Sequence, residues 1–120
     1  MENYIRVFKA LSDITRARIL RLLLDAGSEL CICEIVDSLN LAQYRISKHI
    51  KELKNAGILK ERRQGRFIFY SLIHARGTFY KYILKSVRSM NSRIITDDSK
   101  RLVKRLKGRR HGVCVTGIKK

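Results

Sequence analysis

The residues of this chain best suited to chemistry are its three cysteines, Cys31, Cys33 and Cys114. Two of them stand one residue apart in the stretch ELCICEI, Glu29 to Ile35. Thiolates are soft donors, so a cysteine-only site favours thiophilic ions such as trivalent arsenic or antimony, mercury, lead, cadmium or copper(I) over harder ones. Two thiolates are enough for linear mercury, whereas pyramidal trivalent arsenic calls for three. Cys114 is the remaining thiol. It either completes the site, from its own subunit or from a partner's, or is an exposed tail thiol with no partner. The competing role for Cys31 and Cys33 is as small buried fillers, which their placement on either side of an apolar Ile32 disfavours. Three cysteines are too few for a disulfide framework. No cysteine begins the Cys-x5-Arg loop of arsenate reductases and phosphatases, and no carboxylate pair or glycine-rich phosphate loop occurs. An enzyme is therefore not expected.

The thiols need a scaffold, and hydrophobic periodicity predicts a mainly helical one. Tyr4, Phe8 and Leu11 recur at helical spacing, and Ser12 or Asp13 can cap a second helix through Leu24, ended by DAGSE. Ile32, Ile35, Val36 and Leu39 give one apolar stripe on a helix of about two turns. Asn40, which tolerates the left-handed conformation, stops it. A further helix runs from Ala42 to about Ala56, with Ile46, Ile50 and Leu53 inward and Gly57 as its stop. Ile58 to Arg62 and Phe67 to Leu72 are extended runs around RQGR, a hairpin signal with a glycine at the tip. A long helix is expected from roughly His74 to Arg93, with Phe79, Ile83, Val87 and Met90 on one side. Asp97 or Asp98 can start a last helix through Leu106. The tail RRHGVCVTGIKK has no periodicity, which divides the chain into a domain over residues 1–108 and a flexible basic tail over 109–120.

At 120 residues the chain fits a single domain that dimerisation would help to stabilise. Its 27 Lys and Arg against 10 Asp and Glu give a net charge of +17, a balance that favours polyanions. No apolar run approaches the roughly 18 residues of a membrane span. The start MENYIRVFKALSD lacks the order of a signal peptide, so a cytoplasmic protein is expected. The region SKRLVKRLKGRRHG, with no acid after Lys100, adds either non-specific phosphate attraction or a solvated helix face. Membrane-surface binding is a weak third option, because the apolar side of that helix is only Leu102, Val103 and Leu106.

Helix, short helix, three-residue turn, polar-faced helix and basic hairpin follow one another in the order of a winged helix-turn-helix. The recognition helix would place Gln43 on adenine, Tyr44 on a sugar or thymine methyl, Arg45 on guanine or phosphate, and Ser47, Lys48 and Lys51 along the backbone. Arg62, Arg63, Gln64 and Arg66 of the hairpin would meet phosphates or the minor groove. His49 is either a backbone contact or a half-buried packing residue. The bland alternative, ordinary solvated faces, is disfavoured by coincidence. The basic hairpin falls directly after the one helix whose outer face lacks acids over its first nine residues.

The segments VFKALSDITRARILRLL, ELCICEIVDSLNLAQYRISKHIKEL and AGILKERRQGRFIFYSL resemble the metal- and metalloid-sensing repressors of the ArsR/SmtB family over about Val7 to Leu72. ELCICEI is similar to the Cys-Val-Cys box of its arsenite sensors, and GVCVTG to the Cys-Val-x-Gly tail of some arsenic-responsive relatives. The resemblance implies a homodimer, joined through its first and fifth helices, that sits on palindromic double-stranded operator DNA and leaves when As(III) or Sb(III) binds. It implies no required cofactor and no further protein partner. The family's Asp-Pro-Thr-Arg is here Asp13, Ile14, Thr15 and Arg16, and Ala42 stands where a serine often caps the recognition helix. That missing cap weakens the helix start by about 1 kcal/mol. The family's Gln-Ser-Thr is here Gln43, Tyr44 and Arg45, so its operator sequence does not transfer. The third cysteine common in the arsenite box is Val36, and the Asp-x-His pair of zinc-sensing relatives is His74 and Arg76, which argues against zinc or nickel.

Residues i and i+2 of a helix point about 200° apart. Cys31 and Cys33 therefore cannot both face one ion while the first turn of the short helix stays helical, so binding is expected to distort or unwind that turn, which belongs to the helix that props the recognition helix. Two alternatives stay beside metalloid sensing: a thiol redox or sulfide-responsive repressor, needing two thiols and no ion, and a ligand-independent architectural DNA-binding protein.

Overall fold

A computed structural model describes residues 1–74 and 77–109. Helix α1, Glu2–Leu11, leads into α2, Ile14–Ala26, whose start is fixed by Asp13. The Asp13 carboxylate accepts the Arg16 backbone N–H at 3.0 Å, satisfying one of the orphan donors of the first turn. Burial pushes this carboxyl up. The Arg16 N–H and the neighbouring His49 and Arg16 side chains outweigh that effect and hold it below its usual value. After Gly27, a two-residue strand β1, Leu30–Cys31, leads straight into α3, Ile32–Leu39. Asn40 ends α3 at φ 55°, the left-handed stop expected of it.

Helix α4, Gln43–Asn55, buries Ile46, Ile50 and Leu53 and starts at Ala42, which gives no side-chain cap. Strands β2, Leu59–Gln64, and β3, Phe67–Leu72, form the hairpin, with Gln64 registered against Phe67 across a two-residue turn. Gly65 has φ +59°, and Arg66 is not in the left-handed region, the pattern of a type II′ turn whose twist suits a hairpin. Strand β1 pairs with β3, so the sheet has antiparallel order β1-β3-β2. Ile19, Leu20 and Leu22 of α2 form the centre of the core with Val7, Ile35, Leu39, Ile46, Ile50, Leu53 and Ile58. Burying each such side chain contributes about 1.5–3 kcal/mol before the entropy of ordering is counted.

Three expectations need correction. The long helix is α5, Thr78–Ser89, shorter than His74 to Arg93: Gly77, at φ 93°, precedes its first turn and an extended Met90 ends it. The last helix is α6, Arg93–Leu106, capped by Ser92 and not by Asp97 or Asp98. Asp98 instead lies in the middle of α6, 2% exposed. Strand β1 adds an element that periodicity does not signal, because two residues are too short to show a period.

Helix α6 is bound to the rest of the fold by arginines. Asp98 accepts Nε and Nη2 of Arg18, both at 2.8 Å, and Arg18 also donates to the Leu39 carbonyl at 2.9 Å. Arg101 reaches Asp98 at 2.9 Å and the Ser38 carbonyl at 2.6 Å, and Arg105 reaches Asp37 at 2.8 Å. Arg109 donates to both carboxylate oxygens of Glu34, at 2.7 and 2.9 Å, and to the Glu29 carbonyl. Positions 101, 105 and 109 thus form one stripe of α6 and its end facing α3. Neither tail reading, phosphate attraction or a solvated face, applies to these three side chains. No helix among the described residues is long and apolar enough to cross a membrane.

Candidate nucleic-acid interface and thiol site

The recognition surface is built on α4. Its apolar positions fix the helix against the core, which leaves Gln43, Tyr44, Arg45, Ser47, Lys48 and Lys51 exposed. Tyr44 is 74% exposed, an unusual position for a ring that nothing covers. Arg45, Lys48 and Lys51 have no acidic partner among the described residues, so their charge faces outward. Lys54, further along α4, pairs with Glu61 of β2 and ties the helix to the wing hairpin. His49 takes the packing alternative. Its Nδ1 lies 3.6 Å from the Asp13 carboxylate and 3.4 Å from Arg16, between α4 and the start of α2.

On the wing, Arg62, Arg63, Gln64 and Arg66 are all exposed. They differ in freedom. Arg63 lies 3.8 Å from Glu61, and Arg66 lies over the Phe67 ring at 5.2 Å. Arg62 is held more firmly: it donates to both carboxylate oxygens of Glu29 and to Gln64, and stacks on Phe69. The bond from Arg62 is the main reason the Glu29 carboxyl sits below its usual range, and Glu29 in turn raises the Arg62 guanidinium.

The thiol pair lies between wing and core. Cys31 and Cys33 are joined as a disulfide, with Cα atoms 5.4 Å apart, and are buried against Phe69 with Phe67 alongside. This overturns the expected conflict with helix geometry. Cys31 is the residue before the helix, in an extended conformation with ψ 158°, so its side chain turns back to meet Cys33 while α3 stays helical from Ile32 onward. Val36 is a core residue, as its place in the stripe requires. Glu34, fully buried, accepts the Cys31 backbone N–H at 3.0 Å and so completes the start of α3.

Among the described residues no group of three His, Cys, Asp or Glu side chains is gathered as a metal site. The donor set of Cys31 and Cys33 therefore fits two bonds to a thiophilic atom. Cys114 lies outside the described residues, as does Arg76, while His74 is exposed just after β3. Sequence reasoning passes over Phe67, Phe69, Glu29, Glu34 and Arg109. The alternating phenylalanines of FIF and a Glu three residues after Cys31, the spacing of a reciprocal N-terminal cap, are the available signals.

The profile of bacterial regulatory proteins of the arsR family matches residues 13–61. The arsenic resistance transcriptional regulator ArsR2 of Pseudomonas putida is 40% identical over 110 residues, 90% of this chain and 94% of that one. ArsR1 of the same organism is 41% identical over 96 residues, 80% of this chain and 74% of that one. Among solved structures, HlyU from Vibrio cholerae N16961 superposes with a TM-score of 0.62 at 27% identity, covering 72% of this chain and 88% of HlyU.

Proposed function

Since the chain belongs to the arsR family of bacterial regulatory proteins, and is a DNA-binding repressor of transcription and not an enzyme, we propose that it senses trivalent arsenic or antimony through Cys31 and Cys33. The observation that carries the reading is the meeting of the two sulfurs at the start of α3, packed on the wing of a winged helix. The arsenic resistance named for its Pseudomonas putida relatives agrees with that chemistry. A dithiol reductant first opens the Cys31–Cys33 disulfide to two thiols and is itself oxidised to a disulfide. Each bond then forms as a thiol proton leaves with an arsenic-bound hydroxyl as water, so two thiols release two waters.

Cys114 is the third ligand, supplied by its own subunit. Arg109 is anchored beside the pair through Glu34 and the Glu29 carbonyl. Five residues of chain span up to about 17 Å, ample to bring Cys114 back to Cys31. The working form is a homodimer. Tyr4, Ile5 and Phe8 of α1 and Tyr82 of α5 are exposed, and Phe79 lies 4.6 Å from Tyr4 and 5.4 Å from Phe8. An apolar patch of this kind needs a cover, and a second copy provides one. On double-stranded operator DNA the two α4 helices occupy successive major grooves, with the wings on the backbone.

The test is fluorescence anisotropy of the reduced protein on a duplex selected by the protein from a random-sequence pool, at fixed salt, titrated with arsenite, antimonite, cadmium, zinc and a mild oxidant. Arsenite should release the parent and leave Cys31→Ser bound, and Cys114→Ser should need more arsenite. A second reading, thiol redox regulation, is favoured by the Cys31–Cys33 disulfide itself. Release by oxidant alone, with no response to any ion, would replace the metalloid reading with that one.

A further inference from the structure

Cys31, Phe69 and Arg62 stand in one line across the sheet. Cys31 of β1 is registered against Phe69 of β3, and Phe69 against Arg62 of β2. Residues directly opposite one another in an antiparallel sheet project from the same face, so the three form one cross-strand row. Contacts run along it. Cys31, Cys33 and Phe69 form one buried cluster, and the Arg62 guanidinium carbon lies 4.6 Å from the Phe69 ring centroid. Glu29, next to β1, accepts from the same guanidinium, with Nε to Oε2 at 3.2 Å.

We propose that this row carries the state of the thiol pair to the DNA: what is bound to Cys31 and Cys33 sets the position of Phe69, and Phe69 with Glu29 sets whether Arg62 reaches a backbone phosphate. The inference rests on the thiol-sensing reading and names the wing residue that reports it. Cys31 is 0% and Cys33 5% exposed. An atom inserted between two sulfurs in a close-packed interior has to displace a neighbour, and Phe69 is the buried side chain clustered with the pair and registered against Cys31. Phe69 in turn cannot move without shifting the guanidinium stacked on it. The Arg62–Glu29 pair is half exposed, with side chains at 49% and 37%, and is therefore weak enough for a phosphate to compete with the carboxylate. Packed side chains of this kind switch between discrete arrangements, so a small displacement at the sulfurs is delivered to the wing as a change of partner. Phe69 is a positioning residue here, and Arg62 is the group that touches DNA.

Phenylarsine oxide is the probe, on the reduced full-length protein. A trialkylphosphine opens the disulfide and becomes its oxide, with water supplying the oxygen and both thiol protons. The arsenical then forms two As–S bonds while its oxygen leaves with the two protons as water. The parent, Phe69→Leu and Arg62→Gln are compared for arsenical uptake, operator affinity and the slope of log affinity against log salt.

In the parent the arsenical should lower affinity and reduce the slope by about 0.9 for each phosphate that the wing no longer neutralises. Arg62→Gln should begin with that lower slope and show no further fall, and Phe69→Leu should take up one arsenical per subunit yet show at most a third of the parent's fold-release. The relay is overturned, with sensing intact, if both variants are released as far as the parent with the same change of slope. A parent that stays on DNA with its thiols occupied overturns relay and sensing together. Should Phe69→Leu fail to fold, the exposed Arg62→Gln decides the matter.

Discussion

Asp98→Asn separates structural arginines from DNA-binding ones. Asp98 is 2% exposed and accepts three guanidinium N–H groups, at 2.8, 2.8 and 2.9 Å, from Arg18 and Arg101. The asparagine keeps the shape but removes the charge and places an NH₂ against a donor. Arg18, itself 8% exposed, then keeps the Leu39 carbonyl and one neutral amide oxygen in place of a carboxylate, and its Nε–H loses its acceptor. Removing one partner of a buried ion pair costs about 3–5 kcal/mol. The solvent-facing part of Arg101 moderates this, since its side chain is 39% exposed, so the lower end, about 3 kcal/mol, is expected. With a urea m-value of about 1.5 kcal/mol/M for a chain of this size, the unfolding midpoint falls by about 2 M. The assay is urea unfolding followed by far-UV circular dichroism, at one protein concentration because a dimer's stability depends on it. A double change, Arg18→Met with Asp98→Leu, should recover most of the loss, because an apolar pair has no charge to compensate. A midpoint within about 0.5 M of the parent at unchanged m for Asp98→Asn would refute the claim that α6 is clamped to α2 and α3 by charge.

Lys48→Ala should lower operator affinity alike on all sequences and reduce the salt slope by about 0.9 per subunit, as read by anisotropy across a salt series. Phe8→Asp should abolish self-association in sedimentation while leaving the helical circular dichroism intact, because it charges the exposed patch of α1 and not the core. The Asp13 carboxyl is held below its usual value. Its contribution is therefore present above the unfolded pKa of about 3.9 and is lost as pH falls through the lower folded value. Asp13→Asn caps equally well without a titrating group, so its Tm should fall less steeply than the parent's below about pH 4. Asn40→Val should destabilise by about 1–2 kcal/mol in the same urea assay, since Asn40 has φ 55° and a β-branched residue resists that conformation.

Periodicity carries much of the fold. The stripe of Ile32, Ile35, Val36 and Leu39, the stop at Asn40 and the hairpin around Gly65 are properties of consecutive residues, and each stands where its spacing puts it. The α4 face is legible for the same reason: buried Ile46, Ile50 and Leu53 leave no choice about which side looks out. Long-range pairing is not legible. Nothing in SKRLVKRLK says that Arg101 and Arg105 turn toward Ser38 and Asp37, because their partners lie more than sixty positions away. The thiol pair fails in a different way. Its residues stand out by type and spacing, but the angle between them depends on where the helix begins, and it begins at Ile32, one residue after the first cysteine. Helix boundaries are the least certain part of any pattern reading, and here one residue changes two divergent thiols into bonded ones.

The arginine stripe also orders events during synthesis. Arg18 waits for Asp98, 80 positions later, and Glu34 waits for Arg109, 75 positions later. At about 5–20 residues per second, α3 emerges from the ribosome several seconds ahead of the helix that braces it. Until then Glu34, Asp37 and the Ser38 carbonyl lack the guanidinium donors that cover them. A chain that ends before α6 therefore leaves these acceptors without the arginines that brace α3.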